Sequence, residues 1–159
     1  MYSYRGKPLA AWVLGSLGDA DERFIVSDRP YSFGVPVYPD LYSGSSLGGL
    51  HAALLHATQS WVALAACDLP FLTADYWDEL LKRREGARAV VVTGPDGHHE
   101  PLAVLYHKSL SGLAERQLRA SDLEIQAFVG AAPARLVPWR ELGVAEKTFV
   151  NANCFSDLP

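Results

Sequence analysis

The chain has 159 residues, of which 49% are hydrophobic and 20% are charged, a composition typical of a soluble globular protein with one core. Its formal net charge of −4 argues against a nucleic-acid-binding protein, because such proteins usually present a basic face. No apolar run has the length of a membrane span, and the N-terminus lacks the apolar core of a signal peptide. The two cysteines, Cys67 and Cys154, fit no zinc or redox spacing. We therefore expect a single cytoplasmic domain over residues 1–159, with reduced thiols and neither a membrane nor a nucleic-acid partner.

Strand-like and helix-like segments alternate in the first half of the chain. Pro8 suits the first turn of a helix that runs to about Leu17. Three strands are predicted, at 23–27, 35–39 and 61–67. The Gly/Ser-rich segment 41–49 is predicted to be a loop, and 50–57 has the apolar spacing of a helix. The continuous apolar run before Asp68 is typical of a strand that is buried on both faces.

The same alternation continues in the second half. Thr73 is predicted to be the N-cap of a helix that ends in the basic cluster 82–84. Further strands are predicted at 87–93, 102–106 and 134–138. Ser121 and Glu124 have the spacing of a capping box ahead of a short helix. The alternation predicts an α/β fold with a mostly parallel sheet and helices on both faces.

Polar residues follow several predicted strands, at the edge of the sheet where α/β proteins bind ligands. They are Ser27, Asp40, Asp68, Asn151 and Asn153. A carboxylate at a strand end is a good ligand for Mg²⁺, although an aspartate that caps a turn follows the same pattern. The asparagines suit a ligand with phosphate or amide groups, and they equally suit a turn. Their convergence on one sheet edge favours a ligand site over a scaffold domain that binds nothing.

The segment SGSSLGGL places small residues at the start of a predicted helix. Backbone N–H groups in that position favour an anion or a nucleotide. No Lys-Ser/Thr pair follows, so the segment is not a Walker loop. A plain flexible connection has the same composition.

Several segments, taken in order, resemble the molybdenum cofactor guanylyltransferase family over nearly the whole chain. They are VPVYPD, SLGGLHAALLHA, WVALAACDLPFLTADYWDELL, HEPLAVLYHKSL and FVNANCFSDL, of which CDLPFL and the closing Asn-x-Asn are the most specific. The resemblance implies a three-layer, Rossmann-like nucleotidyltransferase fold. It implies transfer of GMP from GTP to Mo-molybdopterin, with Mg²⁺ as cofactor and pyrophosphate as the second product. Other molybdenum cofactor biosynthesis proteins or molybdoenzymes are further candidate partners.

The resemblance also implies roles for individual residues. Asp68 corresponds to the catalytic aspartate that binds Mg²⁺ and the nucleotide, while Asp40 and Ser27 correspond to nucleotide contacts. The implied nucleotide loop consists of Ser46, Leu47, Gly48 and Gly49. Asn151 and Asn153 correspond to paired asparagines on the molybdopterin side. Nucleotidyl transfer needs positioning and charge neutralisation rather than a covalent nucleophile, so we expect Cys67 to be a packed residue.

Two regions depart from the family pattern. Ser46 replaces the proline of a GPLAGL segment, and Ser-rich loops at this position are found in related cytidylyltransferases, so CTP stays open as the nucleotide. Leu123 and Glu124 occupy a region where the family commonly has a basic residue. Arg116 or Arg119 would then have to supply the pterin phosphate contact.

The family's opening signature, LAGGxSxRMGxxK, does not occur in this sequence. We expect the first strand and its phosphate loop to be absent, which would separate the strand at 23–27 from the one at 61–67 and leave two strand edges unpaired. An internal methionine taken as the start, or a truncation, explains this pattern, and so does a naturally shortened protein. We expect the 159-residue chain alone to transfer GMP slowly. A non-catalytic relative that binds molybdopterin or a partner protein remains the alternative from another functional class.

Overall fold

The computed structural model describes residues 3–152 of the chain. The helices are α1 (Leu9–Ser16), α2 (Ser46–His56), α3 (Ala74–Leu81), α4 (Ser111–Arg119) and α5 (Ile125–Ala131). The strands are β1 (Ser3–Tyr4), β2 (Lys7–Pro8), β3 (Ile25–Val26), β4 (Val37–Tyr38), β5 (Trp61–Ala65), β6 (Ala89–Thr93), β7 (Ala103–His107) and β8 (Ala134–Pro138). None of the helices in this part of the chain is long and apolar enough to cross a membrane.

The main sheet has four strands in the order β5-β7-β6-β8. The returning strand β7 is antiparallel to both of its neighbours, whereas β6 and β8 are parallel. A second parallel pair, β3 and β4, forms a separate sheet, and β1 and β2 form a small hairpin. The predicted α/β fold is confirmed, with β7 as the antiparallel element within it.

The main sheet separates two apolar cores, as its strand sequences require. Side chains alternate along β6, so that Val91 packs into one core while Val90 and Val92 pack into the other. Helices α2, α4 and α5 cover the first core, and α1 and α3 cover the second. Both faces of β6 are therefore buried, which explains its continuous run of β-branched residues.

Capping explains where α2 and α3 begin. Thr73 is the N-cap of α3, as predicted, and its side chain accepts a hydrogen bond from the Tyr76 N–H at 3.3 Å. Helix α2 begins at Ser46, four residues before the predicted start at 50, because the Ser45 side chain accepts the Gly48 N–H at 2.9 Å. The C-terminal part of the predicted loop is thus the first turn of this helix.

The predicted capping box at Ser121 and Glu124 is wrong. Ser121 has a φ of 59°, and no side chain caps the start of α5. The Asp122 side chain instead accepts the Glu124 N–H at 3.1 Å. Helix α4, which precedes this turn, is an element that the sequence reading did not predict.

Strands β3 and β5 lie in separate sheets, as expected. Hydrogen bonds nevertheless join the segments that precede the two strands. Glu22 precedes β3 and Thr58 precedes β5. The Glu22 carboxylate accepts the Thr58 N–H at 2.9 Å and the Thr58 hydroxyl at 3.0 Å. The amino ends of the two strands therefore lie close together.

Candidate active site

A cavity of about 870 Å³ is lined by β3, β5, α1 and α2. Ser27, Cys67 and Asp68 line it just beyond the carboxyl ends of β3 and β5, and Ser46 and Gly49 line it from α2. Residues from distant parts of the sequence that were predicted to bind a ligand thus share one cavity. This is the edge where open α/β sheets bind ligands.

Asp68 carries an unpaired carboxylate oxygen at this cavity. Its Oδ1 atom is buried and has no hydrogen-bond partner among residues 3–152. The turn is anchored by Leu69 and Pro70, which are both buried. A buried acceptor without a donor costs free energy, about 1–3 kcal/mol and more for a charged group. This oxygen therefore fits a cation, and a carboxylate at a strand end is the oxygen ligand that Mg²⁺ prefers.

The N-terminus of α2 presents free donors. Ser45 accepts the Gly48 N–H through its side chain and the Gly49 N–H through its carbonyl. The N–H groups of Ser46 and Leu47, by contrast, have no acceptor within the described part of the chain. Together with the positive end of the helix dipole, they favour an anion. The side chain of Leu47 is fully buried, and Leu47 is not among the residues that line the cavity, so only its backbone N–H is available to a ligand.

Gly48 allows a close approach between α2 and the segment after β4. A Cβ at Gly48 would lie 2.3 Å from the Tyr42 carbonyl oxygen and 2.9 Å from Asp40 Oδ1. Any side chain would push the helix and this segment apart. Gly48 is thus a packing residue in this structure, and Gly49 is the glycine that faces the cavity.

Short polar contacts organise the ends of β3 and β4. The Ser27 N–H donates to the Tyr38 carbonyl at 2.8 Å, and its hydroxyl accepts the Arg29 N–H at 3.0 Å. The Asp40 carboxylate accepts the Tyr42 N–H at 2.8 Å, so it closes a turn. Asp40 is not among the residues that line the cavity, in contrast to Ser27.

Asp28 is a residue of this region that the sequence reading missed. Its carboxylate accepts the Asp40 N–H at 3.2 Å and thereby ties the ends of β3 and β4 together. The signal was an acid directly after Ser27 at a strand end, the same signal that singled out Asp68.

The C-terminal segment reaches Asp68 through its backbone. The Ala152 N–H donates to the Asp68 carbonyl at 2.8 Å, so the exposed Asn151 is placed close to the Asp68 turn. The predicted molybdopterin contact Asn153 lies outside the described residues.

Cys67 is exposed, so the expectation of a packed residue is wrong. Desolvation at the cavity wall raises the pKa of its thiol, and the neighbouring Asp68 carboxylate raises it further. A thiol with a raised pKa is a poor nucleophile, which agrees with a reaction that needs no covalent intermediate.

Arg119, which the sequence offered as a pterin phosphate contact, lies on α4. Its guanidinium pairs with the Glu115 carboxylate at 2.7 Å on the exposed face of the helix. Leu123 and Glu124 are exposed and lie between α4 and α5. This basic group is therefore already engaged by a neighbouring acid.

A family model, a relative in sequence and a solved structure all relate this chain to nucleotidyltransferases of molybdenum cofactor biosynthesis. The MobA-like NTP transferase domain family matches residues 1–135. A probable molybdenum cofactor guanylyltransferase of Deinococcus radiodurans is 32% identical over 160 residues, covering 98% of this chain and 80% of the relative. The solved molybdopterin-guanine dinucleotide biosynthesis protein A of Archaeoglobus fulgidus has a TM-score of 0.81 at 23% identity, covering 98% of this chain and 84% of its own.

A second solved structure shares the fold at lower identity. The 2-C-methyl-D-erythritol 4-phosphate cytidylyltransferase of Thermus thermophilus has a TM-score of 0.74 at 18% identity, covering 98% of this chain and 87% of its own. These structural likenesses support the nucleotidyltransferase fold, and the sequence matches establish the family predicted from CDLPFL and its neighbouring segments. The chain belongs to the MobA-like NTP transferase family and is a nucleotidyltransferase.

Proposed function

We propose that this protein transfers GMP from GTP to Mo-molybdopterin, forming molybdopterin guanine dinucleotide and releasing pyrophosphate in the cytoplasm. The observation that carries the proposal is the buried, unpartnered Oδ1 of Asp68 at a cavity that also receives the N-terminus of α2. A cation site beside an anion site suits a metal-bound triphosphate. The relatives named molybdenum cofactor guanylyltransferases supply the identity of the two substrates.

The reaction is a displacement at the α-phosphorus of GTP. A phosphate oxygen of molybdopterin forms a bond to this phosphorus, and the bond to the oxygen that bridges the α- and β-phosphates breaks. Pyrophosphate leaves with the electron pair of that bond. The protein's part is to hold the two reactants in line and to neutralise the negative charge.

Asp68 is the residue that would hold Mg²⁺, through the oxygen that has no donor among residues 3–152. The ion would supply positive charge to the phosphates of the nucleotide. The free N–H groups of Ser46 and Leu47 would contact phosphate oxygens at the start of α2.

The remaining predicted contacts belong to the same proposal. Ser27 would contact the nucleotide from the end of β3, at the cavity that it lines. Asp40 would act on the nucleotide through the turn that it closes with Tyr42. Asn151, next to the Asp68 turn, and Asn153 would contact molybdopterin.

Nucleotide binding tests the proposal most simply. Calorimetric titration with GTP and with CTP, each with and without Mg²⁺, would be run on the wild-type chain and on Asp68→Asn. We expect Mg²⁺ to strengthen GTP binding and Asp68→Asn to weaken Mg²⁺-dependent binding at least tenfold, about 1.4 kcal/mol. Asp75→Asn is the matched control, because Asp75 is an exposed acid in the first turn of α3 that does not line the cavity.

A transfer assay with radiolabelled GTP and Mo-molybdopterin would then detect the dinucleotide product, at a low rate for this chain alone. Tighter binding of CTP than of GTP would contradict the proposal in favour of a cytidylyltransferase, whose fold is also similar. Molybdopterin binding without Mg²⁺-dependent nucleotide binding would contradict it in favour of a non-catalytic relative.

A further inference from the structure

Glu100 is a half-buried acid whose carboxylate has no partner in the described part of the chain. It accepts no hydrogen bond and forms no ion pair among residues 3–152. Two other partly buried acids, Glu79 and Glu115, each pair with an arginine one turn away, at 2.6 and 2.7 Å. Burial raises the pKa of the Glu100 carboxyl, and Asp96 raises it further. The charged carboxylate therefore costs the folded chain free energy, which a hydrogen-bond donor would offset.

The pairing of β5 with β7 brings Glu100 to the same edge of the sheet as Asp68. The Ala66 N–H donates to the Leu102 carbonyl at 2.9 Å. Asp68 follows Ala66 by two residues and Glu100 precedes Leu102 by two, so both acids lie just beyond this hydrogen bond. The cavity proposed for the nucleotide lies between β3 and β5, whereas Glu100 lies on the side of β5 that faces β7.

The C-terminal segment reaches the same edge. The Glu100 N–H donates to the Val92 carbonyl of β6 at 2.9 Å, so the segment before β7 turns away from Asp68. The Asp68 carbonyl accepts the Ala152 N–H at 2.8 Å instead. Glu100 and the exposed Asn151 therefore both lie near the Asp68 turn, which is the side proposed above for molybdopterin.

Gly94 leaves room for the Glu100 carboxylate. A Cβ at Gly94 would lie 2.8 Å from Glu100 Oε1 and 3.4 Å from Asp96 Oδ1. The Glu100 side chain therefore packs over the buried backbone of Gly94, just beyond the carboxyl end of β6. Its place is set by packing, and its oxygens are left to accept hydrogen bonds from a ligand.

The charge of Glu100 restricts which part of the acceptor substrate it can contact. A carboxylate repels the phosphate and the sulfur ligands of Mo-molybdopterin, which are both anionic. The pterin ring, by contrast, carries an N–H at position 3 beside the 2-amino group. These two parallel donors match the two oxygens of a carboxylate, as the donors of an arginine do.

We propose that Glu100 is a specificity-determining residue whose carboxylate accepts hydrogen bonds from N3–H and the 2-amino group of the pterin ring. Pterin recognition by Glu100 rests on the proposed function and deepens it. The carboxylate that is unpaired in the free protein is satisfied by the substrate, and this explains why an acid stands at a position where it costs stability.

Fluorescence titration of the full 159-residue chain tests the proposal with two probes. One is 6-hydroxymethylpterin, and the other is 6-hydroxymethyllumazine, in which a carbonyl oxygen replaces the 2-amino group. We expect the wild type to bind the pterin about tenfold more tightly, because the lumazine places an acceptor opposite a carboxylate oxygen.

Glu100→Gln replaces one carboxylate oxygen by an amide donor, which suits the lumazine. We expect it to weaken pterin binding about tenfold and to strengthen lumazine binding, a reversal that a purely structural role would not produce. Removal of the half-buried charge should leave the variant at least as stable as the wild type at neutral pH. Asp96→Asn is the matched control, because asparagine can still accept the His98 N–H, now at 3.0 Å, and both affinities should stay unchanged.

Guanine carries the same pair of donors, so GTP and ITP, which lacks the 2-amino group, separate the two sources. We expect Glu100→Gln to leave the ratio of GTP to ITP affinity unchanged. A change in that ratio with unchanged pterin affinity would assign Glu100 to the nucleotide and overturn the proposal.

An unchanged preference for pterin over lumazine in Glu100→Gln, or no binding of the pterin by the wild type, would also overturn it. The pterin titrations contain no nucleotide, so their outcome is separate from the GTP and CTP titrations that test the proposed function.

Discussion

The two adjacent glycines in the first turn of α2 give a sharp test of the packing around the site. Adding a methyl group at Gly48 places Cβ 2.3 Å from the Tyr42 carbonyl oxygen, which is backbone and cannot rotate away. A Cβ added at Gly49 would have no atom of the described structure within 4 Å. Both residues are helical, so Gly48→Ala and Gly49→Ala gain the same helix propensity, about 0.8–1.0 kcal/mol.

The difference in the free energy of unfolding between the two variants therefore measures the cost of the clash at Gly48. Overpacking of this kind costs about 1–3 kcal/mol. We expect Gly49→Ala to stabilise the chain by about 0.8–1.0 kcal/mol and Gly48→Ala to be less stable than Gly49→Ala by about 1–3 kcal/mol. For a chain of this length the difference corresponds to roughly 2–12 °C in Tm. Because the Cβ also approaches Asp40, Gly48→Ala should displace that carboxylate and weaken nucleotide binding.

Urea unfolding followed by far-UV circular dichroism would measure both free energies, with calorimetry for Tm. Each variant would be compared with wild type in the same buffer without nucleotide. If Gly48→Ala were as stable as Gly49→Ala, the close approach between α2 and the Tyr42 carbonyl would be wrong. The expected displacement of the Asp40 carboxylate in Gly48→Ala would then be wrong as well.

Substitutions of Thr73, Glu100 and Cys67 give three further tests, two of stability and one of catalysis. Thr73→Ala removes the side chain that accepts the Tyr76 N–H and should lower the free energy of unfolding by about 1 kcal/mol in urea unfolding; no loss would show that this cap is not formed. Burial raises the pKa of Glu100 from its ordinary value of 4.5, and Asp96 raises it further, so the folded state holds this proton more tightly and wild-type stability falls as pH rises through the folded pKa. Glu100→Gln should therefore gain stability relative to wild type above pH 4.5, and a difference in Tm that stays constant from pH 4 to pH 8 would contradict the sign. Cys67→Ser should keep Mg²⁺-dependent nucleotide binding and transfer, because the thiol of Cys67 is a poor nucleophile, and loss of transfer with nucleotide binding intact would assign it a catalytic role.

Local signals predicted the parts of the site that depend on neighbours in sequence. The apolar run, the stop at Pro70 and the cap at Thr73 all act within a few residues, and the sequence therefore placed Asp68 correctly at a strand end. The start of α2 was misplaced because a Gly/Ser-rich composition is typical of a loop. The helix begins there because Ser45 caps it and because Gly48 fits against distant backbone.

Features that depend on tertiary packing could not be predicted. The apolar run that ends at Cys67 predicted a strand buried on both faces, and this is wrong, because Val62 is the only buried residue of β5. Cys67 is exposed because it lies at the cavity beside this strand. The capping-box pattern at Ser121 failed because that residue adopts a positive φ in a turn between α4 and α5. The orphaned oxygen of Asp68 is likewise a property of the folded chain, since only the surrounding structure determines which donors can reach it.

The central claim is that Asp68 holds a divalent cation together with the nucleotide. The most direct measurement is Mn²⁺ binding by electron paramagnetic resonance in the presence of GTP, with Mn²⁺ as the spectroscopic substitute for Mg²⁺. The account predicts one tight Mn²⁺ site per chain in the wild type and in Asp75→Asn, and loss of that site in Asp68→Asn. Equal Mn²⁺ binding by wild type and Asp68→Asn, with GTP bound in both, would contradict it.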